Sequence, residues 1–111
     1  LGSAIDPNFG TLILLGAGGI MAELLNETTF RRLVRKPEDA NAMIDALPRT
    51  RQLLDGVRGR PKANREDLVA TILKFSSLVD SLQGTATVEI NPLLVTDERC
   101  IALDALVLPK T

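Results

Sequence analysis

The fold of this chain is decided by residues 87–104, which read TVEINPLLVTDERCIALD. Two apolar, β-branched runs flank a short charged turn, and this pattern predicts a β-hairpin. If the turn is centred between Asp97 and Glu98, Asn91 lies directly opposite Asp104. A four-residue loop keeps this pairing and a three-residue loop breaks it. Because Asp-Glu is not a favoured two-residue hairpin turn, the loop length decides the register.

Three oxygen-bearing side chains lie among the apolar residues of the hairpin: Glu89, Asn91 and Asp104. A strand alternates its faces with period two, so Glu89 and Asn91 share a face. Facing residues in an antiparallel pair have Cβ atoms roughly 4.5–5.5 Å apart, so Asn91 and Asp104 can hold one hard cation between them. Magnesium takes one or two protein carboxylates and completes its shell with water and phosphate oxygens. The hairpin therefore indicates a phosphate-transfer site.

A second interpretation of the same residues needs no metal. The residue before proline is pushed to extended geometry, so Asn91 before Pro92 could simply end or bend a strand. Asp104 could face water. Short motifs often occur by chance, and the residues alone leave both interpretations open.

Composition excludes several classes of function. The 111 residues suffice for one small domain, and 45% apolar and 24% charged residues are ordinary for a soluble globular protein. A net charge of −1, three Phe and no Trp or Tyr argue against nucleic-acid binding. The absence of histidine excludes His-based chemistry within this chain. No apolar run reaches the roughly 18 residues that cross a membrane.

The single cysteine, Cys100, excludes an internal disulfide and fits a reducing compartment, so we expect a cytoplasmic protein. The chain opens with LGSAID, which is typical of the middle of a strand. We therefore expect residues 1–111 to form a single domain that is a fragment of a longer protein.

Periodicity and turn residues predict strands, two helices and strands again, in that order. The predicted elements are a hairpin at 1–15, short strands at 20–25 and 28–34, helices from 37 to about 47 and from 64 to about 84, and the C-terminal hairpin. Asn64 is the predicted N-cap of the second helix, and Asp67 completes a pair that resembles a capping box. The order predicts an α+β fold, a mostly antiparallel sheet with two main helices packed on one face.

A glycine-rich turn, Gly16-Ala17-Gly18-Gly19, follows an apolar strand. Glycines let backbone N–H groups approach a phosphate closely, although a tight bend between strands is an equally good interpretation. Glu23, which follows within an apolar stretch, needs a partner if it is buried and could otherwise face solvent on an edge.

Residues 53–61 read LLDGVRGRP and form an arginine loop. Arg58 and Arg60 could present guanidinium groups to a phosphate or carboxylate. The spacing alone favours a simpler interpretation, a solvated loop in which one of these arginines pairs with Asp55.

These stretches occur in an order that resembles the ATP-grasp region of ADP-forming acyl-CoA synthetases, the acetate–CoA ligase and succinyl-CoA synthetase superfamily. The matching stretches are residues 6–10 (DPNFG), 16–20 (GAGGI) with Glu23, 30–31 (FR), 53–61, 89–94 (EINPLL) and 102–105 (ALDA). Each motif is modest, but the ordered set is fairly specific and spans nearly the whole chain.

The resemblance implies the C-terminal subdomain of an ATP-grasp fold in a ligase that interconverts ATP and acyl-CoA. It implies that Mg²⁺ is held by Asn91 and Asp104, with Glu89 as a neighbour of that site. It also implies that Gly18 and Gly19 belong to the nucleotide cleft. Glu23 and Arg58 are further candidates for nucleotide binding, and for Arg58 contact with an anion or with a neighbouring segment are both open.

The resemblance also implies partners: ATP or ADP, an N-terminal ATP-grasp subdomain, a CoA-binding and phosphohistidine domain or subunit, and an oligomeric full-length protein. The 111 residues alone are expected to be inactive. The alternative hypothesis is a non-catalytic, synthetase-like regulatory or docking module of an acyltransferase.

Overall fold

The structure of the protein is a computed structural model that describes residues 1–18, 26–56, 59 and 61–110. The elements in this part of the chain are β1 (Gly2–Asp6), β2 (Gly10–Gly16), β3 (Thr28–Arg32), α1 (Pro37–Asp45), α2 (Pro48–Leu54), α3 (Arg65–Ser81), β4 (Ala86–Ile90), β5 (Leu93–Val95), β6 (Cys100–Ala102) and β7 (Ala105–Pro109). The strand predicted at residues 20–25 lies outside the described residues.

The main sheet has five strands in the order β3-β2-β1-β4-β7, and every neighbouring pair is antiparallel. Strands β5 and β6 form a separate two-stranded sheet. Ile90 pairs with Ala105 in the first sheet and Leu93 pairs with Ala102 in the second, so one register runs through both. The C-terminal segment is therefore a single long hairpin that bends where it passes from one sheet to the other.

The predicted hairpin register is confirmed. At the bend, the backbone N–H of Asn91 donates to the carbonyl oxygen of Asp104 over 3.2 Å. The N–H of Leu103 donates to the carbonyl oxygen of Pro92 over 3.1 Å, and the Asn91–Pro92 peptide bond is cis. Asn91 and Asp104 consequently lie opposite each other where the two sheets meet.

The hydrophobic core lies between one face of the main sheet and the helices. The buried residues that form it are Ile13, Leu15, Val34, Ala40, Met43, Ile44, Leu47, Leu68, Val69, Ile72, Phe75, Val79 and Val88. The predicted α+β class, with two main helices on one face of an antiparallel sheet, is confirmed. The short helix α2 is an addition to the two predicted helices.

The helix ends follow local chemistry. Helix α1 has Pro37 in its first turn, where a missing N–H costs nothing, and it ends at Asp45, slightly before the predicted end at Leu47. Asn64 caps α3 as predicted, since its side chain accepts a hydrogen bond from the Asp67 N–H over 3.0 Å. In the part of the chain that the structure describes, no helix is long and apolar enough to span a membrane.

Candidate functional site

The bend in the C-terminal hairpin gathers the three predicted metal ligands on one side of the sheet. Glu89, Asn91 and Asp104 line one cavity of about 210 Å³ together with Ala105 and Leu106. All three polar residues are exposed to solvent. Oδ1 of the Asp104 carboxylate accepts a hydrogen bond from the Ala105 N–H over 2.9 Å. The three residues can therefore be reached by a ligand from solvent.

The donor chemistry of this cavity fits a hard cation. Its candidate ligands are two carboxylates and one amide, and magnesium prefers oxygen ligands of this kind. Within the described ranges, no group of three or more His, Cys, Asp and Glu side chains could hold a metal ion. A cation bound by these three side chains would keep positions for water and phosphate oxygens, as magnesium in nucleotide sites does.

The beginning of the glycine-rich turn lies beside this cavity. A Cβ added at Gly18 would lie 3.0 Å from Oδ1 of Asn91 and 3.7 Å from Cα of Pro92. Any side chain at Gly18 would therefore press on the Asn91 amide. The structure brings Gly18 and the predicted cation site together, and Gly19, Glu23 and Arg58 lie outside the described residues.

The face of the sheet opposite the helices carries a row of residues across all five strands. The pairings Phe30–Leu14, Leu14–Gly2, Gly2–Glu89 and Glu89–Leu106 define this row. Gly2, in the middle of the row, has no side chain. A groove of about 410 Å³ therefore lies over Gly2 and extends towards Gly18 and Asn91. The groove and the candidate cation site therefore share one face, which we call the open face.

Glu27 joins the glycine-rich turn to helix α2, a contact that the sequence analysis missed. Its carboxylate accepts hydrogen bonds from the N–H groups of Arg49, over 3.0 Å, and Thr50, over 2.8 Å, and from the Thr50 hydroxyl, over 3.0 Å. Burial alone would raise the pKa of Glu27, but these donors and the charge of Arg49 outweigh it and hold that pKa below its ordinary value. The sequence carried one signal for such a contact. The first turn of α2 has no acidic residue of its own, so an acid from elsewhere in the chain is favoured there.

A second missed contact fixes the β5–β6 hairpin to helix α3. The Asp67 carboxylate accepts a hydrogen bond from the Cys100 N–H over 2.6 Å. The Asn64 N–H donates to the Thr96 carbonyl over 2.7 Å, and the Asn64 side chain donates to the Glu98 carbonyl over 2.9 Å. The predicted capping box is therefore only half formed, because both groups of its second half bind the hairpin instead.

The chain is similar to known proteins in sequence and in fold. The family described as ATP-grasp domain matches residues 1–108. The beta subunit of an ADP-forming acetate–CoA ligase (isoform II) from Pyrococcus furiosus is 35% identical, and the match covers 99% of this chain and 48% of the subunit. The ADP-forming 4-hydroxybutyrate–CoA ligase of Nitrosopumilus maritimus is 35% identical, and the match covers 88% of this chain and 14% of the ligase.

A solved structure has the same fold. Dinucleotide-forming acetyl-coenzyme A synthetase 1 of Ca. Korarchaeum cryptofilum, in complex with coenzyme A and Mg-AMPPCP, aligns with a TM-score of 0.87 and 24% identity. The alignment covers 98% of this chain and 51% of that chain. The chain thus spans between 14% and 51% of the length of these three proteins.

Proposed function

Because this chain belongs to the ATP-grasp domain family, we propose that it is the part of an ADP-forming acyl-CoA ligase that binds the phosphates of Mg-ATP. The observation that carries the proposal is the pairing of Asn91 with Asp104 at the hairpin bend, beside Gly18 and on the same face as Glu89. The similarity to ligase sequences over most of the chain supports the reaction class.

The proposed role of the site is electrostatic. Asn91 and Asp104 would hold Mg²⁺ through oxygen atoms, with Glu89 next to them, and the ion would offset phosphate charge when a phosphoryl group is transferred. The chain itself orients the site, because the backbone hydrogen bond from Asn91 to Asp104 holds the two residues opposite each other. The missing side chain at Gly18 lets the backbone lie close to the Asn91 side chain.

We propose that the chain corresponds to the C-terminal half of an ATP-grasp fold and works with a second subdomain and a CoA-binding, phosphohistidine-containing domain or subunit. Coverage of about half of the related ligase subunit and of the solved synthetase supports this division. Candidate acids include acetate and 4-hydroxybutyrate, the acids named for the two related ligases. The expected cytoplasmic location stays a prediction.

The test is an assay of acyl-CoA formation by the full-length protein with ATP, Mg²⁺, CoA and a panel of short carboxylic acids. We expect Asp104→Asn to lower turnover by at least about a hundredfold, because the substitution replaces the carboxylate that lies opposite Asn91 at the bend by a neutral amide. The thermal unfolding temperature should change little, since Asp104 is exposed.

Asp97→Asn is the matched control, because it removes the same charge from the exposed turn of the same hairpin. Turnover close to wild type is expected for this control. Wild-type turnover in Asp104→Asn contradicts the assignment of the cation site, and no ATP-dependent product with any acid in the panel contradicts the ligase activity.

A further inference from the structure

We infer that Glu27 is a positioning residue that holds the Gly16–Gly18 turn against helix α2 and, through that turn, keeps Asn91 in place at the candidate cation site. The inference concerns a residue that does not itself reach the site. It rests on the proposed function for its effect on nucleotide binding, while its effect on the position of Asn91 can be measured independently.

The first step is the contact between Glu27 and α2. Both carboxylate oxygens are used, Oε2 by the Arg49 N–H and Oε1 by the N–H and the hydroxyl of Thr50. These are among the first N–H groups of α2, which have no partner within the helix. Hydrogen bonds to an ionised acceptor are roughly twice as strong as neutral ones, so a carboxylate fixes this helix end more firmly than an amide would.

The second step is the contact between Glu27 and the end of β2. Gly16 pairs with Thr28, the residue after Glu27. A Cβ added at Gly16 would lie 2.7 Å from the Glu27 carbonyl oxygen, closer than real Cβ contacts allow. The backbone of Glu27 therefore packs directly on Gly16 while its side chain holds α2.

The third step leads from the turn to the cation site. Residues 16–18 form one side of a cleft of about 280 Å³, whose other sides include Thr50 of α2 and Asn91. Gly18 packs on the Asn91 amide, as the 3.0 Å distance from its added Cβ to Oδ1 indicates. If α2 separates from Glu27, the turn loses its support on one side of the cleft, and the Asn91 side chain loses a fixed neighbour.

The carboxylate is the part of Glu27 that matters here. Glu27→Gln keeps the size of the side chain but leaves one acceptor oxygen for three donors and removes the negative charge at the start of α2. Glu27→Ala removes every acceptor. The two variants should therefore form a graded series in which the glutamine variant keeps the fold and loses part of the positioning.

The experiment uses the full-length protein and compares wild type, Glu27→Gln and Glu27→Ala. We expect KM for Mg-ATP to rise about tenfold in Glu27→Gln with kcat changed less than about twofold, because a misplaced turn weakens binding before it alters the chemical step. Hydrogen exchange should become faster at the amides of Arg49 and Thr50. The backbone N–H of Asn91, which donates to the Asp104 carbonyl oxygen, should also exchange faster.

Glu38→Gln is the matched control, since Glu38 is an exposed acid in the first turn of α1, another helix that begins with proline. Its KM for Mg-ATP and the exchange of the Asn91 amide should equal those of wild type. A merely structural role for Glu27 would lower the unfolding temperature and leave KM unchanged.

The outcomes separate this inference from the proposed function. An active wild type with equal KM in Glu27→Gln overturns the positioning role. If the wild type forms no acyl-CoA, the proposed function fails, and hydrogen exchange then decides. Unchanged exchange at Asn91 in Glu27→Gln overturns the inference, and faster exchange there supports it. Should Glu27→Ala fail to fold, Glu27→Gln provides the same comparison at constant size.

Discussion

The two faces of the five-stranded sheet differ sharply. On the helix-covered face, Ile13, Leu15 and Val88 are buried beneath α1 and α3. On the open face, Phe30 is 63% exposed, Leu106 50% and Leu108 55%. Large apolar side chains at such exposure, on the face that also carries Glu89, are typical of a surface that binds a ligand or another protein segment.

The covered face stabilises the fold, and the open face carries the candidate binding surface. The covered face removes apolar area from water and so drives folding. The open face keeps apolar and acidic side chains available, and it holds the groove above Gly2 that leads to the candidate cation site. The same strands therefore serve both purposes through their alternation, because each successive side chain points to the other face.

The largest expected effect comes from truncation on the covered face. Ile13→Ala should lower the free energy of unfolding by about 2–5 kcal/mol, because Ile13 is 0% exposed and the cavity left behind cannot collapse fully. Leu108→Ala, on the open face, should change it by less than about 0.5 kcal/mol. Urea denaturation of the 111-residue chain measures both values. Equal losses for the two variants would contradict the distinction between the faces.

A smaller loss of stability is expected when a contact between helix α3 and the β5–β6 hairpin is removed. Asn64→Ala should cost about 1 kcal/mol, because it removes the cap of α3 and the hydrogen bond from the Asn64 side chain to the Glu98 carbonyl. Lys62→Ala, at an exposed position just before the cap, is the control and should be neutral. Denaturation measures the stability, and hydrogen exchange at Cys100 reports whether β6 has loosened. Protection at Cys100 equal to that of wild type would show that the strand is held without the Asn64 side chain, by contacts such as the one from Asp67.

The smallest expected effect is the loss of stability in acid that the Glu27 carboxylate contributes. The pKa of Glu27 is lower in the folded protein than its ordinary value of 4.5. Its contribution to stability is therefore fully present above that value and is lost as the pH falls through the lower, folded-state pKa. Between pH 7 and pH 3, the unfolding temperature of wild type should fall slightly more than that of Glu27→Gln, because the glutamine side chain does not titrate. Equal losses in both proteins would contradict a role for the ionised carboxylate.

Local chemistry made much of the fold predictable. The hairpin register, including Asn91 opposite Asp104, follows from the position of one turn and is confirmed by the strand pairing. The cap at Asn64 was predictable because the Asn64 side chain accepts a hydrogen bond from the N–H of Asp67, only three residues further along the chain. Helix α2 was not among the predicted helices. Its first turn has no acidic residue, and Glu27, which is distant in sequence, binds there instead.

Contacts between residues distant in sequence were not predictable from the patterns. Asp67 was assigned to a capping box on spacing alone, yet its carboxylate binds the N–H of Cys100, 33 residues away. Glu27 attracted no hypothesis, although it binds Arg49 and Thr50, 22 and 23 residues away. Such partners depend on how the helices pack on the sheet, which no local pattern records.

The sequence by itself determined the alternation, the turn and the caps, because each depends on residues within a few positions of one another along the chain. Only the tertiary structure decided that Gly18 packs on Asn91 and that the Glu27 carboxylate binds the start of α2. The physical reason is that close packing and satisfied hydrogen bonds are conditions on neighbours in space. These neighbours become defined only when the sheet and the helices have assembled.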